Sequence, residues 1–258
     1  MELSSWRRLS DRGPELVLCL DFPGGRASAG FPDLAASSTV DASFLQVGRI
    51  GAGPLDEAVA RWTDEALAGG GTVRAVLGYC AGASLATCVA DAVAERQPAP
   101  RVLLFDAARP GAGSLAGEFS GIVDASAEHL TEQEREDART LADTLVEEHP
   151  DDLPRVADAL AARYDDLMRS VATRLSLDDY FRGELVKGFR TYLDYLLLAA
   201  AGRFELKAGE PLFVHSRDYP LPVDGDVHLT VFDVEHEELL RDDQVRAHVT
   251  AHLKGVRA

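Results

Sequence analysis

Val76-Leu77-Gly78-Tyr79-Cys80-Ala81-Gly82-Ala83 decides the fold of this chain. An apolar run enters a Gly-x-Cys-x-Gly turn, and an alanine-rich stretch leaves it. A nucleophile held on a tight strand-to-helix turn has this pattern, with serine in the usual place of the cysteine. Glycine is needed at positions 78 and 82 because neighbouring backbone passes where a Cβ would stand. The Cys80 sulfur is then expected at a helix N-terminus, where free N–H groups and the helix dipole favour thiolate. Acylation of a thiol makes a thioester, so the identity of this one atom bears on the acyl donor and acceptor.

Working outward, Val73 to Leu77 reads as a strand, and a helix is expected from Ala81 to Arg96, ended by Pro98 and Pro100. Upstream, Glu15 to Phe22 reads as a buried strand running into Pro23-Gly24-Gly25, and a second strand is expected near Ala42 to Val47. Asp56 to Ala68 carries Ala58, Ala60, Trp62 and Ala66 at helical spacing and stops at Gly69-Gly70-Gly71. Downstream, Arg101 to Phe105 forms a strand that ends on Asp106. This alternation predicts an α/β fold with a mostly parallel sheet flanked by helices and right-handed crossovers. After Asp106 the pattern turns helical up to Gly202, with segments at Ser126 to Glu148, Asp152 to Leu175 and Leu177 to Ala201. Strands resume at Pro211 to Arg217 and Val227 to Val234, and a helix from Asp242 to Leu253 follows. The expectation is one domain, with a core of residues 1–113 and 203–258 and a helical lid insertion at 114–202.

The composition fits that size of core: 258 residues, 46% of them apolar, are enough for a single α/β domain. No apolar run approaches the length of a membrane span, and the segment from Met1 to Arg8 lacks the apolar middle of a signal peptide, so a cytoplasmic location is expected. Cys19, Cys80 and Cys88 show neither Cys-x-x-Cys spacing nor paired histidine ligands, which argues for free thiols and against a disulfide framework or a metal site. A net charge of −17, from 43 acidic and 26 basic residues, opposes binding to nucleic acid or an anionic membrane surface. Ten of those acids fall between Glu128 and Asp152, a block read as a solvated helix face. The residues set no oligomeric state.

Seven histidines compete for the part of general base. His236 follows an apolar strand and precedes Leu239-Leu240 and the last helix, which suits the order nucleophile, acid, histidine. His215, in or at the end of a strand, is the runner-up. His129, His149, His248 and His252 are expected on exposed helix faces, and His228 at a strand start. For the acid, Asp106 ends the strand after the turn, and its part would be to orient the His236 imidazole; Asp218 is the alternative. The oxyanion formed in acyl transfer needs two backbone donors, for which Ala81 N–H and Gly25 N–H are the candidates.

Taken together, these residues resemble the thioesterases of nonribosomal peptide and polyketide synthesis, an α/β-hydrolase family. The likeness rests on Phe22-Pro23 in the first loop, Gly78-Tyr79-Cys80-Ala81-Gly82, Val102-Leu103-Leu104-Phe105-Asp106, the helical stretch straight after that aspartate, and Glu235-His236 followed by Leu239-Leu240. It runs over residues 15 to 110 and 208 to 255. Two positions depart from the family pattern: cysteine replaces serine at 80, and Val234-Glu235 precede the histidine where Gly-Asp is usual. The resemblance implies a free-standing enzyme with a Cys80-His236-Asp106 triad, no cofactor, and a substrate presented on the phosphopantetheine of an acyl or peptidyl carrier protein. Because an acyl group on Cys80 stays activated, transfer or release to an amine, a hydroxyl or a second carrier thiol is expected. The alternatives are an editing thioesterase that hydrolyses mis-primed carriers, a small-molecule esterase, and a non-catalytic binding protein of the same fold.

Overall fold

The computed structural model describes residues 4–22, 29–51 and 53–255. Along the chain come β1 (Trp6–Arg8), β2 (Glu15–Leu20), α1 (Phe31–Ser37), β3 (Ala42–Val47), α2 (Leu55–Leu67), β4 (Val73–Tyr79), α3 (Gly82–Ala94) and β5 (Arg101–Phe105). The helices α4 (Ala112–Ala125), α5 (Glu132–Glu148), α6 (Leu153–Leu175) and α7 (Asp179–Ala200) follow, then β6 (Leu212–His215), β7 (His228–Val231) and α8 (Asp243–Lys254). Two compact units result: Met1–Arg109 with Leu198–Ala258, and Pro110–Leu197.

In the first unit the described strands form one sheet in the order β1-β3-β2-β4-β5-β6-β7. β1 runs antiparallel to β3, and every other neighbouring pair is parallel. Helices on both faces explain the nearly continuous apolar strands: all six residues of β3 are buried, as are the last four of β2 and of β5. Tyr79 pairs with Phe105 and Phe105 with Val214, so β4, β5 and β6 end level with one another. Loops leaving that carboxyl edge are where a parallel sheet builds its site.

Side chains of a strand alternate between faces. Ala75, Leu77 and Tyr79 therefore share one face with Leu103 and Phe105, and cluster there with Phe31 and Leu34 of α1 and Val245, Val249 and Leu253 of α8. Complete burial of Tyr79 or Phe105 contributes about 1.5–3 kcal/mol each. α3 is buried almost all round from Gly82 to Asp91. Its Ser84 hydroxyl donates to Ala199 O at 2.6 Å, and a Cβ on Gly202 would come within 2.7 Å of Ser84 O.

Two elements differ from expectation by their presence. β1 is three residues long with only Trp6 buried, and α1 is a seven-residue helix with Pro32 in its first turn. Neither is long enough to show a period. β4 runs two residues further than expected, to Tyr79, whereas β6 and β7 are shorter than the apolar runs that contain them.

Within the helical unit, α5 opens with a capping box: Thr131 Oγ1 accepts from Glu134 N–H at 3.2 Å, and Glu134 Oε2 accepts from Thr131 N–H at 2.8 Å. Arg174 of α6 donates to both Glu134 oxygens at 2.7 and 2.8 Å. That guanidinium, helped by the Thr131 donors, lowers the Glu134 carboxyl to about 2. Glu134 is thus engaged, as are Glu132 with Arg135 and Asp137 with Gln133 at the surface, while Glu136 faces solvent. Phe189 packs on Tyr164 and Phe119 with ring centroids 4.6 and 6.1 Å apart. Among the described residues no helix is long and apolar enough to cross a membrane.

Candidate active site

Cys80 occupies the turn between β4 and α3 at φ +51°, in the left-handed region that L-residues seldom enter. Three backbone bonds hold it there. Its N–H donates to Phe105 O at 2.9 Å, and its carbonyl accepts from Ala83 N–H at 3.1 Å and Ala108 N–H at 3.2 Å. The turn is thereby tied to β5 on one side and to α3 on the other. A Cβ on Gly78 would lie 2.5 Å from Ala83 Cα and 2.8 Å from both Ala86 Cβ and Gly82 O. Only glycine lets the helix leave so close to the strand.

The three cysteines are free; Cys80 is half-buried, and Cys19 and Cys88 are buried. Burial, and secondarily the Asp21 charge, pushes the Cys19 thiol well up. The Cys88 sulfur donates to Ser84 O at 3.3 Å within α3. Ala81 N–H, the first expected oxyanion donor, makes no hydrogen bond among the described residues. Gly25, the second, lies outside the described residues.

Asp106 ends β5 at φ +40° and is completely buried. Its Oδ1 accepts from Ser216 N–H at 2.7 Å, and its Oδ2 accepts from Ser216 Oγ at 2.8 Å and from His236 Nδ1 at 2.7 Å. An ionised carboxylate only accepts, so the His236 proton resides on Nδ1 and Nε2 is left with its lone pair. Asp218, the alternative acid, is exposed at φ +60° and makes no bond to His236 among the described residues. Asp233 pairs with Arg217 at 2.6 Å.

His236 opens a 3-10 helix, His236–Arg241, where a loop was expected. Leu239 and Leu240 anchor that turn with no exposure at all, and Ala29 N–H donates to Glu237 O at 2.7 Å. The imidazole is 33% exposed. Tyr79 stacks on one side of it, with centroids 5.2 Å apart and planes 14° from parallel, and Tyr219 stacks at 5.0 Å and 20°. The Tyr79 hydroxyl donates to His236 O at 3.0 Å. The Tyr219 hydroxyl lies 3.9 Å from Cys80 Sγ. No hydrogen bond joins the sulfur to His236 among the described residues, a common state before substrate binds; Tyr219 touches both.

Cys80, Asp106 and His236 lie in one unit of the fold, whereas Tyr79, Ser216 and Tyr219 carry no periodic signal in the sequence and are seen only in three dimensions. His215, the runner-up, makes no hydrogen bond to Cys80 among the described residues. Its side chain is buried at the end of β6, with Nδ1 3.4 Å from Tyr219 O and its ring edge-on to Tyr219 at 5.6 Å. Burial pushes its imidazole down, against a smaller opposing pull from Asp106. His129, His149, His248 and His252, expected to be exposed, are all half-buried. His248 and His252 stack on each other at 6.4 Å, and burial lowers both. His228 begins β7 as expected, 2.9 Å from Glu210. Among the described residues no group of three His, Cys, Asp or Glu side chains is arranged to hold a metal ion.

The arrangement offers a thiol on a strained turn, a histidine oriented by a buried carboxylate, and, on the residue after Cys80, an N–H without a hydrogen bond among the described residues. No protein-family model and no curated protein matches the chain. Solved structures do. The Vlm2 thioesterase domain, with genetically encoded 2,3-diaminopropionic acid and a bound dodecadepsipeptide, matches 98% of this chain over 98% of its own, at a TM-score of 0.51 and 17% identity. AB3403, a four-domain nonribosomal peptide synthetase bound to AMP and glycine, matches 99% of this chain over 20% of its own, at a TM-score of 0.52 and 15% identity. These likenesses establish the class of the fold. It is the α/β-hydrolase fold.

Proposed function

We propose that this protein is a thioesterase-like acyltransferase of nonribosomal peptide or polyketide synthesis. It takes an acyl or aminoacyl group from the phosphopantetheine thioester of an acyl or peptidyl carrier protein onto Cys80 and passes it to an amine, a hydroxyl or a second carrier thiol. One observation carries the reading: a cysteine at φ +51° on the β4–α3 turn shares its unit with a buried carboxylate bonded to His236 Nδ1 at 2.7 Å. The fold likeness to a thioesterase domain and to part of a peptide synthetase supports it.

Before the first half-reaction His236 Nε2 takes the Cys80 proton, and the thiolate so formed then attacks the thioester carbonyl. The negative charge that develops on oxygen falls to Ala81 N–H and a second donor, for which Gly25 is the candidate. Collapse breaks the carbonyl–sulfur bond of the carrier, and the departing thiolate receives the proton from His236. In the second half-reaction the acceptor gives its proton to His236 and attacks, and the Cys80 carbon–sulfur bond breaks with its electron pair going to Sγ, which restores the thiolate–imidazolium pair. Asp106 holds the tautomer throughout. Exchange of one thioester for another is nearly isoenergetic, so the intermediate needs less ground-state stabilisation to be overcome than an oxygen ester does. The side chains alone account for these steps, and the reading calls for no cofactor. The helical unit Pro110–Leu197, inserted in the chain between β5 and β6, is assigned the part of a lid on that place alone.

Product analysis tests the transfer. Acyl-loaded carrier is incubated with the protein in buffer alone, with an amine, and with a second, unloaded carrier. Acyl amide or acyl-carrier forming faster than free acid supports transfer. Free acid as the product under all three conditions makes the protein an editing hydrolase, and turnover of simple esters with no effect of the carrier makes it a small-molecule esterase.

A further inference from the structure

A single carboxylate organises more than the histidine. Asp106 holds His236 through Nδ1, and it also holds both the N–H and the hydroxyl of Ser216. Ser216 begins a tight turn whose fourth residue, Tyr219, donates its N–H back to Ser216 O at 3.4 Å. Asp218, the third residue, takes φ +60°, a conformation that aspartate tolerates better than most side chains. The turn aims Tyr219 so that its ring lies on the imidazole at 5.0 Å while its hydroxyl stands 3.9 Å from Cys80 Sγ.

Resting on the acyl-transfer reading above, we infer that Tyr219 is the residue that receives the Cys80 sulfur as it leaves the acyl group. When an acceptor H–X attacks the acyl-enzyme, a carbon–X bond forms and the carbon–sulfur bond breaks. The bonding pair goes to Sγ, and the acceptor's proton goes to His236 Nε2. The Tyr219 O–H donates a hydrogen bond to the sulfur as that charge appears and keeps its own proton. The charge on Sγ is consumed in acylation and created in deacylation, so a donor aimed at it favours the second half-reaction. The ring has a separate, positioning part. Tyr79 also stacks on the imidazole, with its hydroxyl 3.2 Å from Nε2, and two electron-rich rings stabilise the imidazolium formed in both half-reactions. The titratable groups around this assembly are Tyr79 of β4, Asp106 after β5, His215 of β6 and His236 itself.

The two parts separate by substitution. Tyr219→Phe keeps the ring and removes the hydroxyl, while Tyr219→Leu removes both. Burst kinetics with a p-nitrophenyl ester give the acylation rate from the burst of nitrophenolate and the deacylation rate from the steady state, and intact mass reports acyl-enzyme on Cys80. For Tyr219→Phe, deacylation is expected to slow about tenfold, the scale of one hydrogen bond to a charged group, while acylation changes less than about twofold. Acyl-enzyme then accumulates. For Tyr219→Leu both rates fall. A structural role alone moves both rates together, so equal changes in Tyr219→Phe, or none, overturn the inference while leaving Cys80 as nucleophile. A wild-type protein that forms no adduct on Cys80 overturns the inference and the reading beneath it together.

Discussion

Asp106→Asn separates the chemical part of the buried carboxylate from its structural part. The carboxylate accepts three hydrogen bonds, from Ser216 N–H, Ser216 Oγ and His236 Nδ1, at 2.7, 2.8 and 2.7 Å. An asparagine keeps its oxygen toward Ser216 N–H and turns its NH2 toward the other two partners. The serine hydroxyl rotates and accepts. The imidazole also accepts, provided its proton moves from Nδ1 to Nε2. Every bond is remade, and the variant also avoids burying a charge, so the net cost in stability is about 1 kcal/mol, the worth of one imperfect hydrogen bond. The cost in rate is larger, because Nε2 now carries the proton and cannot take another from Cys80. A wrong tautomer in such a triad costs about 10⁴ in rate, equivalent to about 5.5 kcal/mol of barrier. Urea denaturation measures the first quantity, and intact-mass detection of acyl-enzyme against time measures the second. Acylation within about tenfold of wild type would refute the tautomer argument. A loss of more than about 3 kcal/mol of stability would make Asp106 chiefly a structural clamp on Ser216.

Three further outcomes follow from packing and burial. Gly78→Ala forces a Cβ to within 2.5 Å of Ala83 Cα, and a cost of about 2–4 kcal/mol is expected in a denaturant melt, as for overpacked cores. His215, held below the ordinary histidine value by burial, binds a proton in the unfolded chain before it does in the folded one. Stability is therefore full above about pH 6.5 and declines as pH falls through that value; His248 and His252 add in the same direction. Melting temperatures from pH 8 to pH 5 check this, and His215→Phe is expected to reduce the slope. Iodoacetamide applied to the native protein is expected to label Cys80 but not Cys19, whose buried thiol is pushed up, and to reach Cys19 only after unfolding; peptide mapping reads the sites.

The central strands and the nucleophile turn are legible in the sequence because several constraints agree there. β5 spans Arg101–Phe105 in sequence and structure alike, since an apolar run buried on both faces is bounded by Pro100 and by a polar Asp106. β1 and α1 are not legible. Three residues with one buried side chain, or seven with a proline in the first turn, hold less than one period of a pattern. The half-burial of His248 and His252 depends on which side of α8 turns inward, which short polar helices state weakly. Asp106 and Asp218 could not be separated from their surroundings in the chain. The distinction is the Ser216 turn, whose N–H and hydroxyl converge on Asp106 from 110 residues away. Tyr219 has no signal of its own for the same reason. Its importance comes from a turn that another residue's carboxylate anchors.

Intact-mass analysis of the protein mixed with an acyl-loaded carrier tests the central claim most directly. The account predicts a mass increase of one acyl group on the wild type, mapped to the peptide holding Cys80, and none on Cys80→Ala. An acyl adduct that persists in Cys80→Ala, or product released with no adduct on a wild type sampled within its first turnover, would contradict it.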